Sequence, residues 1–200
     1  MRGAVCIAIL LALAACAPTR QQAPVAAVTL VNDPAGRPQR MAYALTFIEA
    51  MKSDDEIRRD ITRGFKDAVR AALPRGSKIG LQEFTALAEQ YLLSEQLKHL
   101  PEIKEGYATG YADTLTAAEL KQLADAAKSP AVKRAWYEQP LSSQDQAELI
   151  ALGFPALRKR MAETAPTAQR LSQAQGDALH NRLVDDFLAK IAQRLQGQPA

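Results

Sequence analysis

Cysteine is nearly missing from this chain: Cys6 and Cys16 are the only two in 200 residues. Cys6 lies in an N-terminal apolar segment that is expected to be cut away. One thiol then remains, and one thiol excludes an intramolecular disulfide. The fold must therefore stand on packing. Aromatic residues are also scarce, at 6%. Strands recruit aromatic and β-branched side chains, so this scarcity, beside abundant alanine, favours closely packed helices. An excess of one charge is missing too. Lys and Arg number 25 against 22 Asp and Glu, a net +3. Loss of Arg2 with the leader leaves 24 against 22, or +2, which is too small and too evenly spread to argue for nucleic acid.

Several chemical signatures are absent as well. The two histidines, His99 and His180, have no second histidine or cysteine at ligand spacing, so no metal or other cofactor is expected. No nucleophile elbow, dinucleotide loop or P-loop occurs. Glu95 and His99 stand four apart on one helical face. That spacing suits a solvated contact more often than an oriented catalytic imidazole. His180 and Asp185 stand five apart, which does not stack on a helix. The longest apolar run falls short of the ~20 residues that span a bilayer.

What the chain does contain begins at its N-terminus. Met1-Arg2-Gly3 is a short positive start, and residues 4–15 are apolar without a break. This is the pattern of a secretory leader, with small residues before the cut. Leu13-Ala14-Ala15-Cys16 resembles a lipobox, the processing site of bacterial lipoproteins. The resemblance implies cleavage between Ala15 and Cys16 and attachment of diacylglycerol to the Cys16 sulfur. Two or more acyl chains, at ~0.8 kcal/mol per buried methylene, would hold where one would exchange. Ala17, rather than Asp, follows the cysteine, which resembles the pattern passed on to the outer membrane. Residues 16–36 are rich in Ala, Pro and Gln and show no helical period. They read as a flexible tether, in which the apolar run Val28–Val31 is able to dock on the domain.

From 37 to 196 apolar residues recur at three- and four-residue steps, and no stretch alternates strictly. The fold class expected is all-α, an irregular bundle of seven to eight helices, with a short tail at 197–200. The first helix covers 38–52. Ser53-Asp54-Asp55-Glu56 reads as a capping box for the second, whose buried face is Ile57, Ile61, Phe65, Val69 and Leu73, stopped by Pro74 to Ser77. A third covers 80–99 and a fourth 101–113, where Gly106 and Gly110 let another backbone approach closely. Thr116 and Glu119 form a capping box, with Leu115 and Leu120 as a hydrophobic staple, so a fifth helix runs 117–128. Ser129-Pro130 opens a sixth, ending before Pro140. A seventh covers 143–164, with Leu149, Ile150, Phe154, Leu157 and Met161 inward and a kink at Pro155. Pro166 separates it from the last helix, 167–196.

Pro101-Glu102-Ile103, Tyr107, Tyr111, the run Leu115 to Leu120, and Ser129-Pro130-Ala131 together resemble the DUF2059 family of helical exported bacterial proteins. That family has no established function, so the resemblance implies a fold and no activity. The chain departs from its pattern at Ala126, Ala127 and Val132.

Two features remain as a possible interaction surface. Trp136 with Tyr137 is able to line a groove, though a lone Trp on a short amphipathic helix is more often core. Arg158-Lys159-Arg160 is a basic run able to touch lipid headgroups or an acidic partner, and more often a solvated face. The function expected is an interaction or scaffolding lipoprotein of the cell envelope. It would be bound to membrane lipid through acylated Cys16, on the periplasmic face of the outer membrane, beside an envelope protein partner. A helical carrier for an apolar ligand and an envelope hydrolase are the alternatives.

Overall fold

A computed structural model describes residues 31, 33–72 and 81–196. The leader, Ala15, Cys16, the first part of the tether, the stop at Pro74 to Ser77 and the tail lie outside the described residues. Among the described residues the chain is all-α, with eight helices and no strand. They are α1 (Gly36–Met51), α2 (Asp54–Ala72), α3, α4 (Leu100–Ala112), α5 (Ala117–Ala126), α6 (Pro130–Trp136), α7 (Ser143–Ala151) and α8 (Phe154–Gln196). Helix α3 is composite: Leu81–Ala88, one π-helical turn at Glu89–Leu93, then Ser94–Lys98.

The chain divides into two compact units. The first holds 31–54 and 104–172, and the second holds 55–72, 81–103 and 173–196. Helices α4 and α8 contribute residues to both, and α2 contributes its first residue, Asp54, to the first unit.

In the first unit α1 packs along α5. Phe47, Leu115, Leu120, Leu123, Val132 and Phe154 are fully buried, with alanines 44, 108, 112, 124, 126, 127 and 131 between them. Small side chains let these helices approach closely, while each large one contributes roughly 1.5–3 kcal/mol by leaving water. Helix starts are fixed by local chemistry. Thr116 accepts from the Glu119 amide while Glu119 reaches back to the Thr116 amide, and Ser142 and Asp145 repeat that box for α7. Ser129 caps α6 ahead of Pro130.

Helix ends are closed by side chains from elsewhere in this unit. The Arg40 Nε donates to the Ala112 carbonyl at 2.7 Å, Tyr137 Oη to the Met51 carbonyl at 2.9 Å, and Gln122 Nε2 to the Leu152 carbonyl at 3.1 Å. Each terminal carbonyl lacks an intrahelical partner and needs one.

The second unit has a smaller core of Phe65, Leu87, Ala88, Leu93 and Phe187. Phe84 meets Phe187 edge to face at 6.2 Å. Ile57 is buried and Ile61 is packed against this core, as the four-residue step of α2 requires.

Four expectations are corrected. The seventh helix does not run to 164. It stops at Ala151, and Gly153 at φ +66° turns the chain in a left-handed conformation that glycine adopts without cost. Pro155 falls in the first turn of α8, where no amide is needed, so it makes no kink. Pro166 does not divide the next helix, because α8 continues through it. Near that proline the Thr164 hydroxyl donates to the Arg160 and Met161 carbonyls. Finally, the tether does not extend to residue 36, since the chain is bound to the first unit from Val31 onward.

Candidate functional site

The residues singled out from sequence fall on the α6–α7 hairpin and the start of α8, all in the first unit. The hairpin is antiparallel. Ser129 Oγ donates to Glu148 at 2.6 Å near one end, and Arg134 pairs with Asp145 near the other. Asp145 is buried, and the Arg134 guanidinium, helped by the Ser142 amide, holds its carboxyl down at about 2.

Trp136 belongs largely to the core. Its ring meets Phe47 edge to face at 5.4 Å, and Phe47 meets Tyr111 in the same way at 5.7 Å. Burial pushes the Tyr111 hydroxyl up to about 12. Tyr137 keeps 45% of its surface exposed while its hydroxyl closes α1. Ile150 was expected inward and is 71% exposed. Leu149 and Asp145, four apart, occupy the inner face of α7, and Ile150 lies one step round from them. Tyr137 follows the last residue of α6 and Ile150 lies in the last turn of α7, toward opposite ends of the antiparallel hairpin, so they are two separate exposed apolar points.

The basic run divides in the same manner. Arg160 pairs with Glu119 at 3.2 Å and Glu163 at 3.8 Å. Arg158 and Lys159 are exposed, because Phe154, Leu157 and Met161 take the inner face of α8. Arg158 and Lys159 face outward, while Arg160 is half-buried and paired.

Several titratable side chains in both units are paired. In the first unit Lys104 lies between Glu49 at 2.9 Å and Asp54 at 3.1 Å, chiefly Glu49 raising its pKa. In the second, His99 is not oriented by Glu95. Helix α3 ends at Lys98, Glu95 pairs with Lys98 at 2.6 Å, and His99 Nδ1 meets Glu102 at 2.5 Å. Glu102 also meets Arg182 at 2.8 Å, and the His99 and Arg182 hydrogen bonds hold its carboxyl below the usual range. Burial lowers the His180 pKa, with Asp177 opposing. The Lys104 and Glu102 shifts favour the charged forms, whereas burial favours the neutral imidazole of His180. Among the described residues no group of three or more His, Cys, Asp or Glu is placed to hold a metal ion. Likewise no described helix is long and apolar enough to cross a membrane.

Three elements escaped the sequence reading. Asp33, within the expected tether, accepts from the Ala117 amide at 2.6 Å. Arg40 is buried at the end of α4, and Ile150 faces out. The first two are contacts across more than 70 residues and leave no local signal. The third follows Leu149 directly, and the helical step that buries Leu149 turns its neighbour outward.

No family model matches the chain, and no curated protein or solved structure is found to be similar to it.

Proposed function

We propose that the chain is a lipid-anchored interaction module of the bacterial cell envelope, held by acylated Cys16 at the periplasmic face of the outer membrane. The observation that carries this reading is the leader: an apolar run from 4 to 15 ending in Leu13-Ala14-Ala15-Cys16, with no other cysteine following. The anchor confines the domain beside the bilayer and raises its effective concentration against envelope neighbours. The pairing of charged groups described above supports a binding role over acid–base catalysis. Membership of DUF2059 is part of the same proposal, and it rests on residues 101–137, where the Thr116 and Ser129 caps lie.

The contact points proposed are the exposed ones, Ile150, Tyr137, Arg158 and Lys159. A photo-reactive amino acid at Ile150 in intact cells tests them. The expected result is a discrete protein adduct that weakens when Cys16→Ser releases the domain from the membrane. Adducts to lipid alone would replace this reading with the carrier.

A further inference from the structure

Between α4 and α5 the chain turns through residues 113–116, whose own amides find local partners, while the Ala112 and Asp113 carbonyls and the Ala117 amide at the helix ends are met from elsewhere in the chain. Residues 31–40 supply those three partners and also hold the Asp113 side chain. The Val31 amide donates to the Asp113 carbonyl at 3.3 Å. The Arg37 guanidinium grips the Asp113 carboxylate through Nε at 2.8 Å and Nη2 at 3.2 Å. Arg40, 6% exposed, donates to the Ala112 carbonyl at 2.7 Å. Asp33 works in both directions: Oδ2 accepts from the Ala117 amide at 2.6 Å, and Oδ1 accepts from Ala35, two residues on, at 2.8 Å.

Asp33 is not a duplicate of the Thr116 cap. Thr116 takes the Glu119 amide, whereas Asp33 takes that of Ala117, the first residue of α5. A carboxylate there also lies at the positive end of the helix dipole. The Ala117 and Ala35 amides hold its carboxyl below the ordinary value.

We propose that residues 31–40 are a latch that closes on the α4–α5 turn and fastens the chain leading from the N-terminus to the first unit. Asp33 is its hook, and Arg37 and Arg40 hold its base. One consequence rests on the anchored reading above. From Cys16 to Val31 there are 15 residues, so the chain spans at most about 50 Å between lipid and latch. A pull along that chain is borne at the α4–α5 turn, ahead of α1. The latch itself does not depend on the lipid.

Amide hydrogen exchange on the full chain, read by NMR or by fragmentation to single residues, tests it. In the parent protein the Val31, Ala35 and Ala117 amides are expected to be protected. In Asp33→Ala the Ala35 and Ala117 amides lose a charged acceptor and exchange at least about tenfold faster. Val31 follows as the segment lifts, while Ala124 inside α5 is unchanged. Val31 and Ala35 exchanging at unstructured-peptide rates in the parent would overturn the latch, as would an unchanged Ala117 in the variant. Should Asp33→Ala unfold the unit, shown by fast exchange at Ala124, Asp33→Asn decides. It keeps the shape and one weaker acceptor, and is expected to speed Ala117 severalfold with Ala124 protected; no change at Ala117 overturns the proposal. Failure of lipid labelling at Cys16 would remove the anchor and leave this result standing.

Discussion

Two glycines four residues apart on α4 are predicted to answer the same substitution in opposite ways. A methyl group built on Gly110 would sit 2.4 Å from the Ala168 carbonyl oxygen and 2.4 Å from Ser172 Oγ. On Gly106 it would meet nothing within 4 Å. Ser172 can rotate away; the α8 backbone at Ala168 cannot. Since carbon and oxygen ordinarily stop at about 3.3 Å, α4 and α8 must part locally by roughly 1 Å. Forcing apart a packed contact costs about 1–3 kcal/mol. Replacing glycine by alanine inside a helix contributes ~1 kcal/mol of stability at both positions, so that term cancels between them. Gly106→Ala should therefore stabilise the first unit, and Gly110→Ala should lie about 1–3 kcal/mol below it. Urea unfolding followed by fluorescence reads the gap. Trp136 is the only tryptophan in the chain and sits against Phe47, so it reports this unit. At a slope of about 2 kcal/mol/M the two midpoints differ by about 0.5–1.5 M. Coincident midpoints would mean that α4 and α8 do not approach at Gly110, and the packing argument would fall.

Further outcomes follow from the same geometry. Pro166→Ala restores an amide to the interior of α8 and should raise stability by about 1–3 kcal/mol in the same assay; a neutral result would favour a helix break at that proline. Arg40→Ala orphans the Ala112 carbonyl and should cost about 1–3 kcal/mol, seen as a lowered melting temperature by Trp136 fluorescence. Asp145 has its folded pKa depressed from 3.8 to about 2, so its contribution is complete above pH 4 and is lost as pH falls toward 2. Asp145→Asn should lower stability at pH 7 and flatten the acid limb between pH 4 and 2. An acid limb identical to that of the parent protein would refute the Arg134 pairing.

The parts of the fold that were legible in sequence were those set by neighbours within a turn. Thr116 with Glu119, and Ser129 before Pro130, place α5 and α6 because a cap acts across three residues. The Ser142–Asp145 box is equally local and opens α7. Proline, by contrast, misled twice. Its cost in a helix is a few kcal/mol, and the interior of a 43-residue helix absorbs it at Pro166, while at Pro155 the position demands no amide at all. The true break lay at Gly153, two residues before Pro155, the order in which a glycine terminates one helix and a proline enters the next. For the candidate surface, sequence gave residue types without direction. Trp136 turned inward to Phe47, Ile150 turned out, and Arg160 turned to Glu119, each decided by which neighbours held the buried face. The Asp33 and Arg40 contacts join residues 84 and 72 apart, a distance over which periodicity carries no information.

Whether the domain is anchored turns on one sulfur atom, that of Cys16. Cells expressing the full chain with a C-terminal tag should be fed labelled palmitate and the protein captured. Label is predicted in the parent protein and none in Cys16→Ser, with a mature N-terminus at Cys16 by mass spectrometry. An unlabelled parent protein, or a mature chain beginning elsewhere, would contradict the anchor and the proposal built on it.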